Sequence, residues 1–353
     1  MTQDFGFDDT DSALADAAAQ YVRERYAFNP RRRLEAVERR FSTVAWREIA
    51  GMGWLAVATP EALGGVGLRI TSIAVLAQAA GRGMINEPLL STGFVAADTI
   101  VRHGSAEQHA SYLPALLAGD LRVACAFASL SALRHQDGRL SGRQEVVLDA
   151  DIADRLLVQA VADGGLRWFS VDAEAAGVQR ERYPLLDGRG AATLIFDRCE
   201  AEPLREGTSP HAGWLGALAC AADACGAMEA AFELTLDHLK TRRQFGVPIG
   251  SFQVLQHRAV DQYMRLVECR AVLAQAVQAL QHQPDGAGRD VHAAKAFIGE
   301  QARLELQEAV QLHGGIGITD EYALSHYLRR VRVDEQLFGS AEQHLRHFAA
   351  MPA

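Results

Sequence analysis

The sequence has 353 residues, of which 49% are hydrophobic and 22% are charged, a composition typical of a globular protein with two or three domains. The formal net charge of −9 excludes the basic face that binding to a nucleic acid backbone requires. No run approaches the ~20 consecutive apolar residues of a membrane span, and the acidic N-terminus lacks the features of a secretory signal. The five cysteines are scattered without metal-ligand spacing. The composition therefore predicts a soluble cytoplasmic protein that binds no nucleic acid, membrane or metal.

Periodicity divides the chain into three regions. In residues 1–118, apolar residues such as Ala13, Ala17 and Tyr21 recur with helical spacing, and the basic run Arg31–Arg33 is predicted to be a solvated helix face. In residues 119–205, short β-like runs alternate with Asp-Gly pairs, which favour tight hairpin turns. The helical period returns in residues 206–353. The order predicts a mainly α protein with a middle antiparallel sheet or barrel domain.

Several segments resemble those of one known family, in the same order along the chain. They are Trp46–Ala56, Pro60–Leu68, Gly104–Gly119, Arg242–Gln253 and Gln311–Gly317. The first three are similar to the N-terminal helical domain of acyl-CoA dehydrogenases. The last two are similar to that family's arginine-phenylalanine signature and its glycine-rich turn. The resemblance covers about residues 5 to 350 and implies a helical domain at 1–118, a β-domain at 119–205 and a C-terminal four-helix bundle at 206–353.

This resemblance implies FAD as the cofactor. The contacts it implies come from Arg242, Gln244, Phe245, Phe252, Gln253, Gln311, Gly314, Gly315, Ser340 and Glu342. An arginine offers a planar fork that suits a pyrophosphate, and glycines let the backbone approach a ligand closely. In the family, the arginine-phenylalanine motif and the glycine-rich turn reach the FAD of a neighbouring subunit. The resemblance therefore implies a homo- or hetero-oligomer, with an acyl-CoA substrate and electron-transfer flavoprotein or a similar protein as electron acceptor.

The catalytic base of the family is missing at both of its usual positions. A glutamate removes the α-proton of the acyl thioester while the β-hydrogen leaves as hydride to the flavin. The resemblance places this glutamate at Phe338, in the run Gln336–Ser340, or at Gly216, where the following Ala217 replaces a common acyl-site arginine. Neither Phe338 nor Gly216 can accept a proton, so the catalytic residue of this chain stays unknown.

The β-domain also departs from the family pattern. Ala126–Ser129 stands where the family has Thr-Glu-Pro, and no Gly-Ser-Asp follows. Val146 and Leu148 stand where an aromatic residue and a threonine usually face the flavin ring. A valine cannot stack on the ring as an aromatic residue does, and a leucine cannot donate a hydrogen bond.

Other polar residues near these positions are candidates for a displaced base. They are Asp223, Glu229, Asp334, Glu335, His313 and His326. Helix-pairing or packing roles are the commoner fate of such residues. The sequence therefore favours structural roles for all of them.

The family features that act on a neighbouring subunit are kept, whereas those that act within the chain are eroded. This asymmetry favours FAD-linked α,β-dehydrogenation of an acyl-CoA thioester, with this chain as the base-deficient subunit of a hetero-oligomer. Relatives that form mixed complexes act on bulky steroid thioesters, which suggests a substrate class. Two alternatives stay open: a non-catalytic structural or regulatory homologue, and a flavin monooxygenase on the same fold.

Overall fold

The computed structural model describes residues 7–28, 41–128, 133–205, 207 and 209–351, so Arg31–Arg33 and Ser129 lie outside the described residues. The helices are α1 (Asp9–Arg25), α2 (Thr43–Gly51), α3 (Ile70–Gly83), α4 (Ala97–His103), α5 (Ala106–Leu117), α6 (His211–Thr241), α7 (Gln253–His282), α8 (Gly288–His313), α9 (Ala323–Gln336) and α10 (Ala341–Ala350). A π-helical stretch, Leu89–Ala96, precedes α4, and 3₁₀ turns occur at Trp54–Ala56, Glu61–Leu63, Ile249–Ser251 and Gly314–Ile318.

The strands belong to one large sheet and one small hairpin. They are β1 (Val123–Ala126), β2 (Arg134–Gln136), β3 (Arg139–Leu148), β4 (Arg155–Ala162), β5 (Gly165–Asp172), β6 (Val178–Pro184), β7 (Gly190–Glu200), β8 (Glu202–Pro203), β9 (Arg243–Gln244) and β10 (Val247–Pro248). In the large sheet the order is β6-β7-β3-β2-β4-β5-β8, with β1 paired to β4. The predicted fold class, mainly α with a β-domain, is confirmed. The sheet is mixed rather than wholly antiparallel, because β1 and β2 both run parallel to β4, and parallel neighbours need a longer connection than a hairpin.

The chain forms two compact units. The first contains Met1–Arg31, Ile70–Ile85 and Ala217–Ala353, and the second contains Arg32–Arg69 and Asn86–Gly216. The first is called the bundle unit and the second the sheet unit. The helices of the N-terminal region are thus divided between them, with α1 and α3 in the bundle unit and α2, α4 and α5 in the sheet unit. The domain boundaries at 118 and 205 remain predictions.

Apolar side chains from several strands form the core of the sheet unit. Leu140, Leu156, Phe169 and Leu194 are all buried in one cluster on β3, β4, β5 and β7. The indole N–H of Trp46 on α2 donates to the carbonyl of Gly119, at 2.8 Å. The helices of this unit are therefore attached to the residues that lead into β1.

In the bundle unit, two glycines allow α3 and α6 to pack backbone against backbone. A Cβ atom at Gly81 would lie 1.8 Å from the carbonyl oxygen of Asp223, and one at Gly226 would lie 1.9 Å from that of Gln78. Both distances are far below van der Waals contact, so only glycine fits at these positions.

Long apolar helix α6 is buried rather than exposed. Among the described residues it is the one helix with the length and composition of a membrane span, and 89% of its apolar window lies inside the structure. A helix that is apolar on all sides and covered by other helices is typical of a protein core.

Replacing Gly226 by alanine should destabilise the bundle unit, because the new methyl group would meet a backbone carbonyl that cannot rotate away. We expect Gly226→Ala to lower the free energy of unfolding by about 2 kcal/mol or more, measured by urea denaturation. Gly51→Ala at the end of α2 is the control, since nothing lies within 4 Å of the added carbon, and its change should stay within about 0.5 kcal/mol. Equal effects of the two substitutions would contradict the close packing.

Candidate cofactor site

The arginine hairpin follows the end of α6. Phe245 and Gly246 connect β9 to β10 with φ angles of 51° and 84°, the left-handed pair that a two-residue hairpin turn favours. Arg242 and Gln244 are exposed, and Phe245 is 92% exposed, with the edge of its ring toward Phe252 at a centroid distance of 6.2 Å. The hairpin therefore presents a guanidinium, a carboxamide and an uncovered aromatic ring on one surface.

The glycine-rich turn follows the end of α8. Gly314 adopts a φ of 65°, which favours glycine. A Cβ atom at Gly314 or at Gly315 would meet nothing within 4 Å, and Gln311 is exposed one turn earlier. The backbone of this turn is therefore open to close approach by a ligand.

A pair of stacked histidines brings these two segments together. The rings of His238, in the last turn of α6, and His313, the last residue of α8, lie 4.4 Å apart at an interplanar angle of 29°. Arg242 lies four residues after His238, and Gln311 lies two residues before His313. The hairpin and the glycine-rich turn thus share one end of the bundle unit.

The third predicted segment is the turn between α9 and α10. Phe338 and Gly339 have φ angles of 57° and 107°. The ring of His344 leaves no room for a side chain at Gly339, because a Cβ atom there would lie 2.8 Å from Nε2 of His344. His344 Nε2 donates to the carbonyl of Phe338, at 2.9 Å, and its Nδ1 lies 2.8 Å from Nδ1 of His292. Burial lowers the pKa of both histidines to about 4. The turn is therefore held by neutral imidazoles.

Buried Lys295 on α8 supports the same turn. Its ammonium group donates to the carbonyls of Asp334 at 2.7 Å, Glu335 at 3.1 Å and Gly339 at 3.1 Å. A cation that satisfies the carbonyls at a helix C-terminus is favourable, although burial lowers the pKa of this lysine. All three protons of the ammonium group thus have acceptors on the α9–α10 turn.

The side chains of Ser340 and Glu342 are engaged within α10. Ser340 Oγ accepts from the N–H of Gln343, and Gln343 Oε1 accepts from the N–H of Ser340, which is a capping box. Glu342 forms an exposed ion pair with Arg346. The predicted cofactor contacts of Ser340 and Glu342 would therefore compete with contacts inside their own helix.

The structure separates this turn from the other two segments. Lys295 and His313 are 18 residues apart on one continuous helix, which corresponds to about 27 Å. The turn that Lys295 holds and the glycine-rich turn thus lie at opposite ends of α8.

Neither usual position of the base offers a proton acceptor. Phe338 is half-buried, and Gly216 is buried within α6. The carboxylate of Asp223, also on α6, is held in a buried ion pair, because Arg330 donates to it through Nε at 2.9 Å and Nη2 at 2.7 Å. A carboxylate held in this way is a structural group.

The other candidates for a displaced base are also held by ion pairs or hydrogen bonds. Glu229 pairs with Arg270 at 2.5 Å. Glu335 pairs with Arg332 at 2.5 Å. Asp334 is buried next to Arg330, and His326 Nε2 lies 3.0 Å from the carbonyl oxygen of Asp320. These contacts favour the structural roles predicted for them.

A further carboxyl group was missed by the sequence reasoning. Glu305 on α8 is fully buried, and neither of its carboxyl oxygens has a hydrogen-bond partner among the described residues. Burial raises its pKa to about 8, with Glu308 adding to the rise and Arg265 opposing it. The group is thus mostly protonated near neutral pH and enclosed by protein, so it cannot serve as the base. Because Glu305 lies in a regular helical pattern, nothing in the sequence distinguished it from a surface glutamate.

Replacing Glu305 by glutamine should change how stability depends on pH. The folded state holds the proton up to about pH 8, whereas the unfolded chain releases it near its ordinary pKa of 4.5. The wild type therefore loses stability as pH rises from 4.5 to 8. We expect Glu305→Gln to be about 2–4 kcal/mol more stable near pH 7 and equal near pH 4.5, by urea denaturation across this range.

The matched control is Glu300→Gln, an exposed position on the same helix. It should leave the pH profile of the wild type unchanged. A Glu305→Gln profile that runs parallel to the wild type would contradict the raised pKa.

The sheet unit offers few donors at the positions that would face a flavin held within this chain. Val146 lies at a β-bulge with a φ of 52° and is 52% exposed, while its N–H donates to Tyr183 Oη at 3.0 Å. Leu148 is buried. The ring of Phe127 meets the buried Trp168 edge to face at 5.4 Å. These side chains are apolar apart from the Trp168 indole, so Val146 and Leu148 offer neither the aromatic ring nor the hydroxyl that the resemblance implies at their positions.

The bundle residues do fit a flavin dinucleotide. Arg242 and Gln244 supply donors for a pyrophosphate, and Gly314 and Gly315 leave backbone groups accessible. The structure therefore shows the same asymmetry as the sequence. The sheet unit lacks the expected groups at Val146 and Leu148, whereas the hairpin and the glycine-rich turn keep theirs.

Comparisons with known proteins agree with this architecture. The family models for the acyl-CoA dehydrogenase N-terminal and C-terminal domains match residues 8–120 and 215–351. Acyl-CoA dehydrogenase IpdE2 of Mycobacterium tuberculosis is 32% identical over 313 residues, which are 88% of this chain and 87% of IpdE2. A variant of the Tcur3481-Tcur3483 steroid ACAD is 32% identical, with 97% of both chains covered and a TM-score of 0.91. The ChsE4-ChsE5 complex from Mycobacterium tuberculosis is 26% identical, with 99% of this chain and 100% of that chain covered and a TM-score of 0.93.

N-terminal helices, a β-domain and a C-terminal helical bundle are the architecture of acyl-CoA dehydrogenase-type flavoproteins. The chain belongs to the acyl-CoA dehydrogenase family. Relatives named acyl-CoA dehydrogenases are oxidoreductases that act on CH–CH groups, and FAD is present in structures of a neighbour with the same fold, PigA.

Proposed function

We propose that this chain is the base-deficient subunit of a hetero-oligomeric acyl-CoA dehydrogenase. A second family chain would hold the FAD and supply the glutamate base, and this chain would contribute its arginine hairpin and glycine-rich turn to that FAD. The observation that carries the proposal is the contrast between the exposed Arg242 segment and the apolar positions Val146, Leu148 and Phe338. A chain built to hold its own flavin and to remove the α-proton would need an aromatic ring, a hydrogen-bond donor and a carboxylate, respectively, at the latter three positions.

The proposed contribution of this chain is binding and orientation. When FAD is bound, it accepts the hydride that leaves the β-carbon of the acyl group. The guanidinium of Arg242 would neutralise the pyrophosphate, while the open backbone at Gly314 and Gly315 would approach the dinucleotide. Phe245 would become buried against the partner, and an aromatic ring of this size is a typical anchor of an interface.

The separation along α8 supports a shared site between chains. His313, next to the glycine-rich turn, and Lys295, which holds the α9–α10 turn, are about 27 Å apart along α8. The two sets of predicted FAD contacts therefore suit two different cofactor sites. The set on the hairpin end is the intact one.

Two structural neighbours support the proposed partner and substrate class. One structural neighbour is a complex of ChsE4 with ChsE5, and another is a steroid ACAD. We therefore propose an acyl-CoA dehydrogenase family chain with its own glutamate as the partner. Acyl-CoA thioesters with bulky steroid-derived groups are the first substrates to test, with electron-transfer flavoprotein or a similar protein as acceptor. The proposed location is the cytoplasm.

Co-expression with a family chain from a neighbouring gene tests this proposal. We expect a yellow complex that reduces an artificial electron acceptor with acyl-CoA, whereas the isolated chain should carry no flavin. Arg242→Ala should lower FAD affinity of the complex about tenfold or more, since a charge-assisted bond to phosphate is lost. Lys240→Ala is the control, because it removes one exposed positive charge just before the hairpin.

Three results would count against the proposal. An isolated chain that binds FAD and turns over acyl-CoA would show that no partner is needed. Absence of flavin from every co-expressed complex would favour a non-catalytic homologue. Rapid reaction of the reduced complex with oxygen would favour a flavin monooxygenase.

Restoring the missing carboxylate should not restore activity to the isolated chain. Phe338→Glu supplies a base at the family position, but Val146 still cannot stack on a flavin ring and Leu148 still cannot donate a hydrogen bond to it. We expect the purified variant to show neither flavin absorbance nor acyl-CoA oxidation. Turnover by isolated Phe338→Glu would mean that only the base was missing, and the shared-site proposal would then be wrong.

A further inference from the structure

The stacked histidines His238 and His313 connect two segments that are far apart in the sequence. His238 belongs to the last turn of α6, which runs into the arginine hairpin, and His313 ends α8 immediately before the glycine-rich turn. Their rings lie 4.4 Å apart at 29°. The stack thus acts on both cofactor-facing segments at once.

Hydrogen bonds fix the tautomer and the orientation of His313. Its Nδ1 lies 2.8 Å from the carbonyl oxygen of Ala309, which can only accept, so Nδ1 carries the proton. In the neutral ring, Nε2 is then an acceptor, and the hydroxyl of Tyr322 donates to it at 3.2 Å. Both nitrogens of His313 are engaged, which excludes the ring as a displaced base.

The surroundings of the pair favour two neutral rings. Burial lowers the pKa of His238, and His313 and Arg242 lower it further. Burial also lowers the pKa of His313. Tyr322 also faces the pair, and Asp237 lies beside Tyr322. Two imidazolium rings at this distance would repel each other.

We propose that His238 and His313 form a positioning joint that holds the arginine hairpin and the glycine-rich turn in the relative placement that an FAD on the partner chain needs. The joint is closed while both rings are neutral and loosens when either ring is protonated. This inference rests on the proposed function, because the FAD belongs to the partner.

The sign of the pH dependence follows from the lowered pKa values. Both histidines contribute full stability above the ordinary pKa of 6.5. They lose it as pH falls through their lower folded values, because the unfolded chain then binds more protons. Acid should therefore separate the two cofactor-facing segments before the rest of the bundle unfolds.

Two substitutions at one position separate the stack from its titration. His238→Ala removes the stack altogether. His238→Phe keeps a flat ring on His313 but cannot be protonated, and a protonated His313 would be attracted to the phenyl face rather than repelled. His257→Ala, at an exposed position on α7, is the control for loss of a histidine.

The first measurement uses hydrogen exchange of residues 242–248 and 314–318 in the isolated chain. We expect His238→Ala to speed exchange in both segments about tenfold, while exchange in the core of α8 stays unchanged. His238→Phe and His257→Ala should match the wild type near pH 7.5. Unchanged exchange in the glycine-rich turn of His238→Ala would overturn the joint, whether or not a partner exists.

The second measurement uses the rate of FAD release from the co-expressed complex at about pH 5.5 and pH 7.5. Wild type should release FAD faster at the lower pH, His238→Ala about tenfold faster at both, and His238→Phe slowly at both. Looser exchange without faster FAD release would overturn the positioning role. A wild-type complex without FAD would instead reject the proposed function, and the exchange result would still decide whether the joint exists.

Discussion

The rigid length of α8 is the constraint on which the bundle unit depends. Its first turns carry His292 and Lys295, which hold the α9–α10 turn, and its last residue is His313, which stacks on α6. The 18-residue separation between Lys295 and His313 keeps these two groups about 27 Å apart. The two ends of α8 therefore support different segments. The missing base at Phe338 belongs to the end that Lys295 holds, far from the arginine hairpin.

The backbone contact of α3 with α6 fixes these two helices against each other in the bundle unit. Gly81 and Gly226 remove the side chains that would keep those helices apart. Arg330 then joins α9 to α6 through Asp223 and also donates to the carbonyl of Ile85 at 3.0 Å. A buried bidentate ion pair of this kind is costly to break from one side only, so it specifies how the helices are arranged.

The sequence predicted the order of helical and β regions because that signal is local, but it did not predict the β9–β10 hairpin within the arginine-phenylalanine signature. Phe245 and Gly246 follow the pattern of a tight turn, and the exposure of Arg242 agrees with its proposed role. The sequence did not predict the parallel pairing of β1 with β4, which depends on contacts far apart in the chain. Glu305 and the stack of His238 on His313 escaped for the same reason, since burial and ring contact between helices leave no mark on residue spacing.

Phe245 also has a consequence for how the protein is made. Phe245 is 92% exposed, and Ile318 on the same end of the bundle is 70% exposed. In the proposed hetero-oligomer, a chain without its partner would therefore expose an apolar surface. Such an orphan subunit is prone to self-association and to recognition by chaperones and proteases. Synthesis of the two chains in matched amounts, from adjacent genes or a single transcript, would then be a condition for the stability of either one in the cell.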